Sequence, residues 1–582
     1  MSVSNSLMRP GWLVALILTA HGFLVMDAAR KQSPPWDEIA YPSAGLSYWR
    51  TGRIEINTEH PVLSKLICSA PLLFLPTPLP FDHASWRDKD AFRFGFQYTF
   101  RSGTDPKKII FLSRLPNLFF SLGMCLLGFL LGRSLWGPRG GFLCLLSLSL
   151  SPLLLSRASL ALLEMPLFFF LTLAFFFWSQ WRRSHRRLFY YLGAGAGGMA
   201  LGCKTIAVSF LAAIILAEFM TKGTNRSLKT RARDALGFGF FALFVLLILY
   251  LPWQGSIDAL KATWLHPLHL THGYTQFYFA GTLFQKPSPI LTLAALAVKA
   301  PLFLWGLALW GSIAWFRSGR ERDLWRGLLL ILGLTLLSIF STRTTLSTIQ
   351  LSPLYIALAA LSSGIACQKW DKQKISLILL LLLGGGFETL RAHPNQLAFF
   401  SFSVGGPSVG GKWLADSDQD WGQSLPELAR YLNREGNPGV ILCYSGPADP
   451  EAYGIYYQDL LSPALVSRNR KNRLLSHQEK KVHLVISSKV AQSQPDAIGF
   501  LVGDHPRRAI VDSCWFVYDA SSDAGIYKRM ACVYHEMGRE IEAQWAHTKE
   551  ELMHTAEKNL SLHESPIHKP NERVNNETGR SR

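Results

Sequence analysis

Charge is scarce in this 582-residue chain: Asp, Glu, Lys and Arg make up 17% of it, against about a quarter in ordinary soluble domains. With 49% hydrophobic residues it also has too much apolar surface for disorder over most of its length. Together with the low charge, this argues against a purely soluble protein. Cysteine is sparse, 8 in all and with no CxxC pair, so neither a disulfide framework nor a zinc ribbon is readable. Cys68, Cys125, Cys144, Cys203 and Cys367 lie in or beside apolar runs, where cysteine behaves as a small hydrophobe. No GxSxG elbow or Walker loop is present. Acid is short relative to base, 40 residues against 59, and the net charge of +19 invites a nucleic-acid reading. The positions of the cations decide against it.

What the chain has in abundance is long apolar runs. A spanning helix needs about 20 mostly apolar residues, and about eleven segments approach that window. They are 11–29, 111–133, 141–157, 161–179, 188–203, 205–221, 235–253, 288–315, 326–341, 349–367 and 375–390. With the N-terminus in the cytoplasm, the inner loops collect the cations: Arg182, Arg183, Arg186 and Arg187 in one, Arg317, Arg320, Arg322 and Arg326 in another. Short outer loops hold single ones, Arg157, Lys204 and Arg343. This is the positive-inside asymmetry. An odd number of spans puts residues 391–582 outside. The first span reads as an uncleaved anchor, because the best functional motif follows it directly.

The expected architecture is a polytopic α-helical membrane domain over 1–390, with a first outer loop at 30–110 and a later one at 254–287. An extracytoplasmic α/β domain follows over 391–545. It is read from strand-like runs at Val440–Tyr444, Val482–Ser487 and Ala509–Val517 and a helical pattern at Leu425–Leu432. Residues 546–582, polar and without periodicity, read as a disordered tail.

Candidate chemistry gathers at the outer ends of the spans. Asp37 and Glu38, just past the first span, suit a general base for a hydroxyl or amine acceptor; a solvated loop carboxylate is the plainer alternative. Glu164 opens an otherwise apolar helix, where an ionisable group is a functional candidate or a simple helix-start acid. Arg157, Lys204 and Arg343 suit a phosphate or snorkel to headgroups. His60, in Glu59-His60-Pro61, precedes an amphipathic-to-apolar stretch at Leu63–Leu75 fit for the interface. It could contact a phosphate, move a proton, or merely open the helix.

Three further patterns are weaker. His266, His269 and His272 lack the spacing of a zinc-binding helix. Gly193–Gly198 formally matches GxGxxG, but it lies inside an apolar span with no strand before it, which favours close helix packing. Asp416-Ser417-Asp418-Gln419-Asp420 nearly fits a calcium loop, but Trp421 stands where the turn needs glycine.

Taken together, these motifs resemble the GT-C glycosyltransferases of family 39, the superfamily of protein O-mannosyltransferases and the lipid A aminoarabinose transferase, over roughly residues 11–435. Trp36-Asp37-Glu38 with Tyr41 and the Tyr48-to-Gly52 segment is similar to the first-loop signature. Glu59-His60-Pro61-Val62-Leu63 resembles the HPPL element, and Arg114-Leu115-Pro116 the start of the second span. Ser151-Pro152 and Glu164-Met165-Pro166 resemble the later acidic segment, with Glu for the commoner Asp. Gly202-Cys203-Lys204-Thr205 and Lys299-Ala300-Pro301 resemble two lysine elements. His393-Pro394 with Asp416 to Gln423 resembles a signature of bacterial members, and accounts for the aspartate cluster better than calcium does. A departure falls at Thr344–Pro353, where the usual Arg-Tyr pair is missing and Arg343 stands nearby.

The resemblance implies a polyprenyl-phosphate monosaccharide donor in the plasma (inner) membrane and inverting transfer on its outer face. The acceptor would be a glycolipid, polysaccharide or protein. It implies Asp37 as base, with Glu38 and Glu164 positioning donor or acceptor. Lys204, Arg343 and Arg157 would hold the donor phosphate, and His60, Lys299, Asp420 and Trp421 would line the substrate site. No cofactor or nucleic-acid partner is implied; a divalent cation is compatible but not required. The rival readings are a lipid-linked sugar flippase or transporter without covalent chemistry and a non-catalytic scaffold.

Overall fold

The structure, a computed structural model, describes residues 9–220, 227–269, 277–285, 288–341, 352–415, 419–462 and 473–563. Arg343, Asp416 and Asp418 lie outside the described residues, as does His272, and nothing is described of the side chains of His266 and His269.

The apolar runs form helices because a backbone in lipid must satisfy its own hydrogen bonds. In chain order the membrane domain contains α1 (Arg9–Lys31), α2 (Trp36–Thr51), α3 (Leu63–Ser69), α4 (Ala91–Arg101), α5 (Pro106–Ser149), α6 (Pro152–Ala158), α7 (Glu164–Ser184), α8 (Arg187–Leu201), α9 (Ala207–Phe219), α10 (Leu228–Tyr250), α11 (Ser256–His269), α12 (Pro289–Lys299), α13 (Leu302–Ser318), α14 (Arg322–Ser341), α15 (Ser352–Ser362) and α16 (Lys372–Arg391). A short hairpin, β1 (Phe277–Phe279) and β2 (Thr282–Phe284), lies between α11 and α12. Over the described residues, each apolar segment read from the sequence falls mainly on one of these helices or on a broken pair. The segments 111–133 and 141–157 are joined through α5, which turns a corner at Gly137 (φ 75°, ψ −170°) ahead of Pro138. The segment 288–315 is a broken pair, with 293–299 and 302–318 bent by 107°.

Among the described residues, four helices are long and apolar enough to cross a membrane, or five if the bent pair counts as one span. The other apolar helices fall short of that criterion. Leucines and phenylalanines line the outside of the bundle, as a lipid-facing surface requires: Leu236, Phe240 and Leu247 on α10, and Leu380, Leu383 and Phe387 on α16 are all exposed. At Gly198 a Cβ would lie 2.4 Å from the Ala242 carbonyl, so the glycine-rich stretch serves close packing of α8 on α10.

The segment after α1 is built around α2, which is buried from Glu38 to Tyr48. It lies so close to α3 that a Cβ on Gly45 would fall 2.1 Å from the Lys65 carbonyl oxygen. Leu63–Ser69 continues as a 3-10 turn, Ala70–Phe74, ending on an exposed Phe74.

The C-terminal α/β unit is called the outer domain after its expected side of the membrane. Its strands are β3 (Gly439–Cys443), β4 (Tyr457–Asp459), β5 (Val482–Ser487), β6 (Arg507–Val511) and β7 (Trp515–Asp519), in the order β4-β3-β5-β7-β6. The first three run parallel, and β7 and β6 are antiparallel. Alternation along β3 splits the core. Val440 and Leu442 pack with Leu425, Leu428 and Leu432 of α17 (Leu425–Arg434), while Ile441 and Cys443 face the cluster of Tyr527 and Met530. The helices α18 (Ser488–Ser493), α19 (Pro495–Val502), α20 (Ala524–Glu536) and α21 (Glu540–His563) complete it.

Two expectations need correction. Ala509–Val517 is not one strand but the two arms of a hairpin, which reverses at Asp512 and Ser513 with φ of 50° and 60°. The segment from 546 on is not tail throughout, because α21 continues through it to His563.

Candidate active site

The Asp37 region is positioned by a change of direction at Pro35. The proline caps α2 with an extended backbone, and the two acids in the first turn suit the helix dipole. A helix rotates successive residues by roughly 100°, so adjacent acids face different surroundings. Asp37 accepts a hydrogen bond from Tyr41 Oη, one turn on, at 2.8 Å. Burial pushes its carboxyl up to about 6; the Tyr41 bond and Lys204 pull it down, and Glu164 and Glu59 push it further up.

Glu38 points the other way and is fully engaged. Arg114 on α5 donates to its two oxygens at 2.7 and 2.5 Å, and the Ala161 N–H adds a third bond at 2.5 Å. The same guanidinium donates to the carbonyls of Ala29, Gln32 and Ser33, so all five of its N–H donors are used. Glu38 therefore holds the loop rather than taking a proton.

Glu164, at the start of α7, accepts a bond from Lys204 Nζ at 2.5 Å. Arg157, wholly buried on α6, is an electrostatic neighbour of Glu164. Electrostatic contact also joins Asp37 to Glu164, Lys204 and Glu59. His60 packs edge-on to Tyr41, with ring centroids 5.8 Å apart. Its carbonyl accepts from the buried Lys65 Nζ at 2.8 Å, and burial draws the Lys65 ammonium down to about 7.

Lys299 stands where the broken helix bends. Its Nζ donates to the Leu397 carbonyl at 2.9 Å and lies 4.3 Å from the centre of the Phe400 ring. Asp420 is buried, accepting from Ser488 Oγ and from the backbone N–H of Lys489 and Gly422. Its carboxyl is pushed up to about 6 by burial. Trp421 belongs to an apolar cluster that also holds Tyr41, Leu160, Leu162, Leu163 and Leu397.

The structure thus brings Asp37, His60, Glu164, Lys204 and Arg157 to one place, with Trp421 at its border. Glu38 is set into the frame, Lys299 is tied to the 397–400 segment, and Arg343 lies outside the described residues. Sequence reasoning gave no separate role to Tyr41, Arg114 or Lys65. The signals were there: Tyr41 is spaced i,i+4 from Asp37, and Arg114 is a cation set inside the apolar run 111–133.

The arrangement is a buried carboxylate of raised basicity in electrostatic contact with a Glu164–Lys204 ion pair, with Arg157 beside Glu164, at one end of the helical bundle. Residues 90–267 match the family described as dolichyl-phosphate-mannose-protein mannosyltransferase. This match bears out, over the segment it covers, the resemblance read from the motifs. Arg114, Arg157, Glu164 and Lys204 lie inside the matched segment, while Asp37 and His60 precede it. No curated protein matches the chain.

Among solved structures, ArnT from Cupriavidus metallidurans bound to undecaprenyl phosphate is similar at 13% identity and a TM-score of 0.47, over 88% of this chain and 98% of that one. The Archaeoglobus fulgidus oligosaccharyltransferase is similar at 9% identity and a TM-score of 0.39, over 91% and 72%. The S. cerevisiae Pmt1–Pmt2 complex bound to the sugar donor is similar at 16% identity and a TM-score of 0.32, over 48% and 36%.

Proposed function

We propose that the protein transfers a monosaccharide from a polyprenyl-phosphate donor to a hydroxyl or amine acceptor, with inversion, on the outer face of the membrane. The observation that carries this reading is the buried Asp37 carboxyl, fixed by Tyr41 and in electrostatic contact with the Glu164–Lys204 pair. With a pKa raised to about 6, Asp37 is still ionised at neutral pH and is a stronger base than an exposed aspartate.

In the reaction, one oxygen of Asp37 keeps its bond from Tyr41 and the other takes the acceptor proton. The acceptor atom bonds to the anomeric carbon as the carbon–oxygen bond to phosphate breaks on the opposite side. The electron pair leaves with the polyprenyl phosphate, and Lys204 and Arg157 offset its charge. A single displacement inverts the anomeric centre. Glu164 holds Lys204 in place for the phosphate. The acceptor is a glycolipid, polysaccharide or protein, approaching from the side of the outer domain.

The test is reconstitution of purified protein in liposomes with a panel of radiolabelled polyprenyl-phosphate sugars, with membrane glycans and proteins as acceptors. Wild type should move label from donor lipid to acceptor, and Asp37→Asn should lower turnover by about 10²- to 10⁴-fold. Turnover that survives Asp37→Asn but not Glu164→Gln moves the base to Glu164. Donor movement between leaflets without transfer refutes the transferase reading.

A further inference from the structure

Trp421 comes from the outer domain, yet it is buried against the outer end of the membrane domain. Its apolar cluster contains Tyr41, whose hydroxyl holds Asp37, and Leu160, Leu162 and Leu163, which lead into Glu164; Trp36 packs against the cluster. The cluster therefore touches both acidic segments of the site.

The segment that presents Trp421 is tied down on each side. Asp420 accepts from Ser488 Oγ at 3.3 Å and from the N–H groups of Lys489 and Gly422 at 3.2 Å each. Gln423 accepts the Trp421 N–H at 2.8 Å and donates to the Gln419 carbonyl at 2.8 Å and to Asn395 Oδ1 at 3.0 Å. Gly422 has φ +94°, and a Cβ there would lie 2.9 Å from Gly446 Cα, so the position suits glycine alone. Ser33, just ahead of Asp37, grips the same segment. Its N–H donates to the Gln423 carbonyl at 2.9 Å, its Oγ donates to the Gly422 carbonyl at 2.8 Å, and that Oγ accepts the Leu425 N–H at 3.2 Å. A buried polar run with so many satisfied bonds fixes one geometry.

We propose that Trp421 is a positioning residue for Asp37: it closes the apolar cluster around Tyr41, keeps the Tyr41–Asp37 hydrogen bond aligned and holds water off the carboxyl. The proposal rests on Asp37 being the base for its catalytic meaning, but its physical content is testable without substrate. The groups that face Asp37 are Tyr41 on its own helix, Glu59 from the next loop, and Glu164 and Lys204 from the membrane helices. Trp421 carries no charge, so it acts through packing and exclusion of water.

The experiment is infrared difference spectroscopy of the purified full-length protein against pH, following the protonated-carboxyl band that Asp37→Asn removes. Wild type should titrate near 6. Trp421→Ala, which readmits water, should lower the midpoint by about one pH unit. Trp421→Phe, still apolar and aromatic, should restore most of it. Arg101→Ala, which breaks the Arg101–Asp449 ion pair (2.7 Å) between the loop and the outer domain, should leave the midpoint in place. If Trp421→Ala does not fold, Trp421→Leu serves, with the same direction of shift.

An equal midpoint in wild type and the truncated variant overturns the proposal. So does a shift as large in Arg101→Ala, which would mean general loosening, or the lack of any titrating band lost in Asp37→Asn. Sugar transfer is assayed separately: transfer that survives Asp37→Asn removes the base assignment while the shift in Trp421→Ala still stands.

Discussion

Asp37 and Glu38 are neighbours of the same chemical type with different fates, and the difference comes from what each faces. Glu38 meets Arg114 inside the protein, both side chains 1% exposed. Removing one partner of such a pair leaves a buried charge uncompensated, so Glu38→Gln should cost about 3–5 kcal/mol. Thermal unfolding in detergent should show that loss, while Asp37→Asn should leave the unfolding temperature near that of wild type. Similar melting of both variants would remove the distinction between a frame acid and a working acid. Tyr41 offers a second test. Its bond favours the ionised form of Asp37, so Tyr41→Phe should raise the carboxyl further above 6. The acid limb of kcat/KM, which rises with pH as the base loses its proton, should then move to higher pH. A pH–rate profile decides, and an unmoved limb would show that Tyr41 does not tune the base. The sequence carried the acid pair but not which member faces the site, because that depends on the Arg114 guanidinium, remote in sequence from both.

Whole elements were legible wherever composition alone determines the outcome. Spanning helices could be read as apolar runs because lipid admits few alternatives. Strands β3 and β5 were legible as short apolar runs, buried along their whole length, but the three-residue β4 and the hairpin at Asp512–Ser513 were not. Its turn carries neither glycine nor proline, and two residues with positive φ do not show in a hydrophobic pattern. That turn also places Asp512, whose side chain accepts from Ser424 Oγ at 2.5 Å and Asn395 Nδ2 at 3.0 Å, where the outer domain meets the 393–398 segment. Burial, with Glu427 nearby, pushes its carboxyl from 3.8 up to about 7, against the opposing effects of Ser424, Asn395 and Arg430. Between those values the native domain keeps a proton that the unfolded chain gives up. The resulting stability is full below the unfolded value and is lost as pH rises through about 7. Melting of the full-length protein between pH 5 and 8 should show this decline, and Asp512→Asn should flatten it. An unchanged slope would mean that other groups set the pH dependence of the interface.

At the scale of the molecule, the proposed reaction requires the site and its domain to share the outer face of the membrane. The positive-inside pattern predicts the N-terminus inside and residues 391–582 outside, an assignment set by the parity of spans, which the helix breaks at Gly137 and between Lys299 and Leu302 bear on directly. The protein carries its own probe of this. Of the cysteines, Cys532 on α20 is exposed and Cys367 is partly buried, while the other six are buried. Cys367 follows α15 and lies ahead of Lys369, Lys372 and Lys374, which the positive-inside pattern puts in the cytoplasm. That pattern predicts the two thiols on opposite faces. A membrane-impermeant maleimide added to right-side-out vesicles should label wild type through Cys532, and Cys532→Ser should abolish that signal. Inside-out vesicles should leave Cys532 unlabelled until detergent is added. Labelling of Cys532 from the cytoplasmic side alone would place the outer domain, and with it Asp37, in the cytoplasm. Sugar transfer would then have to take place on the inner leaflet, with a donor presented there.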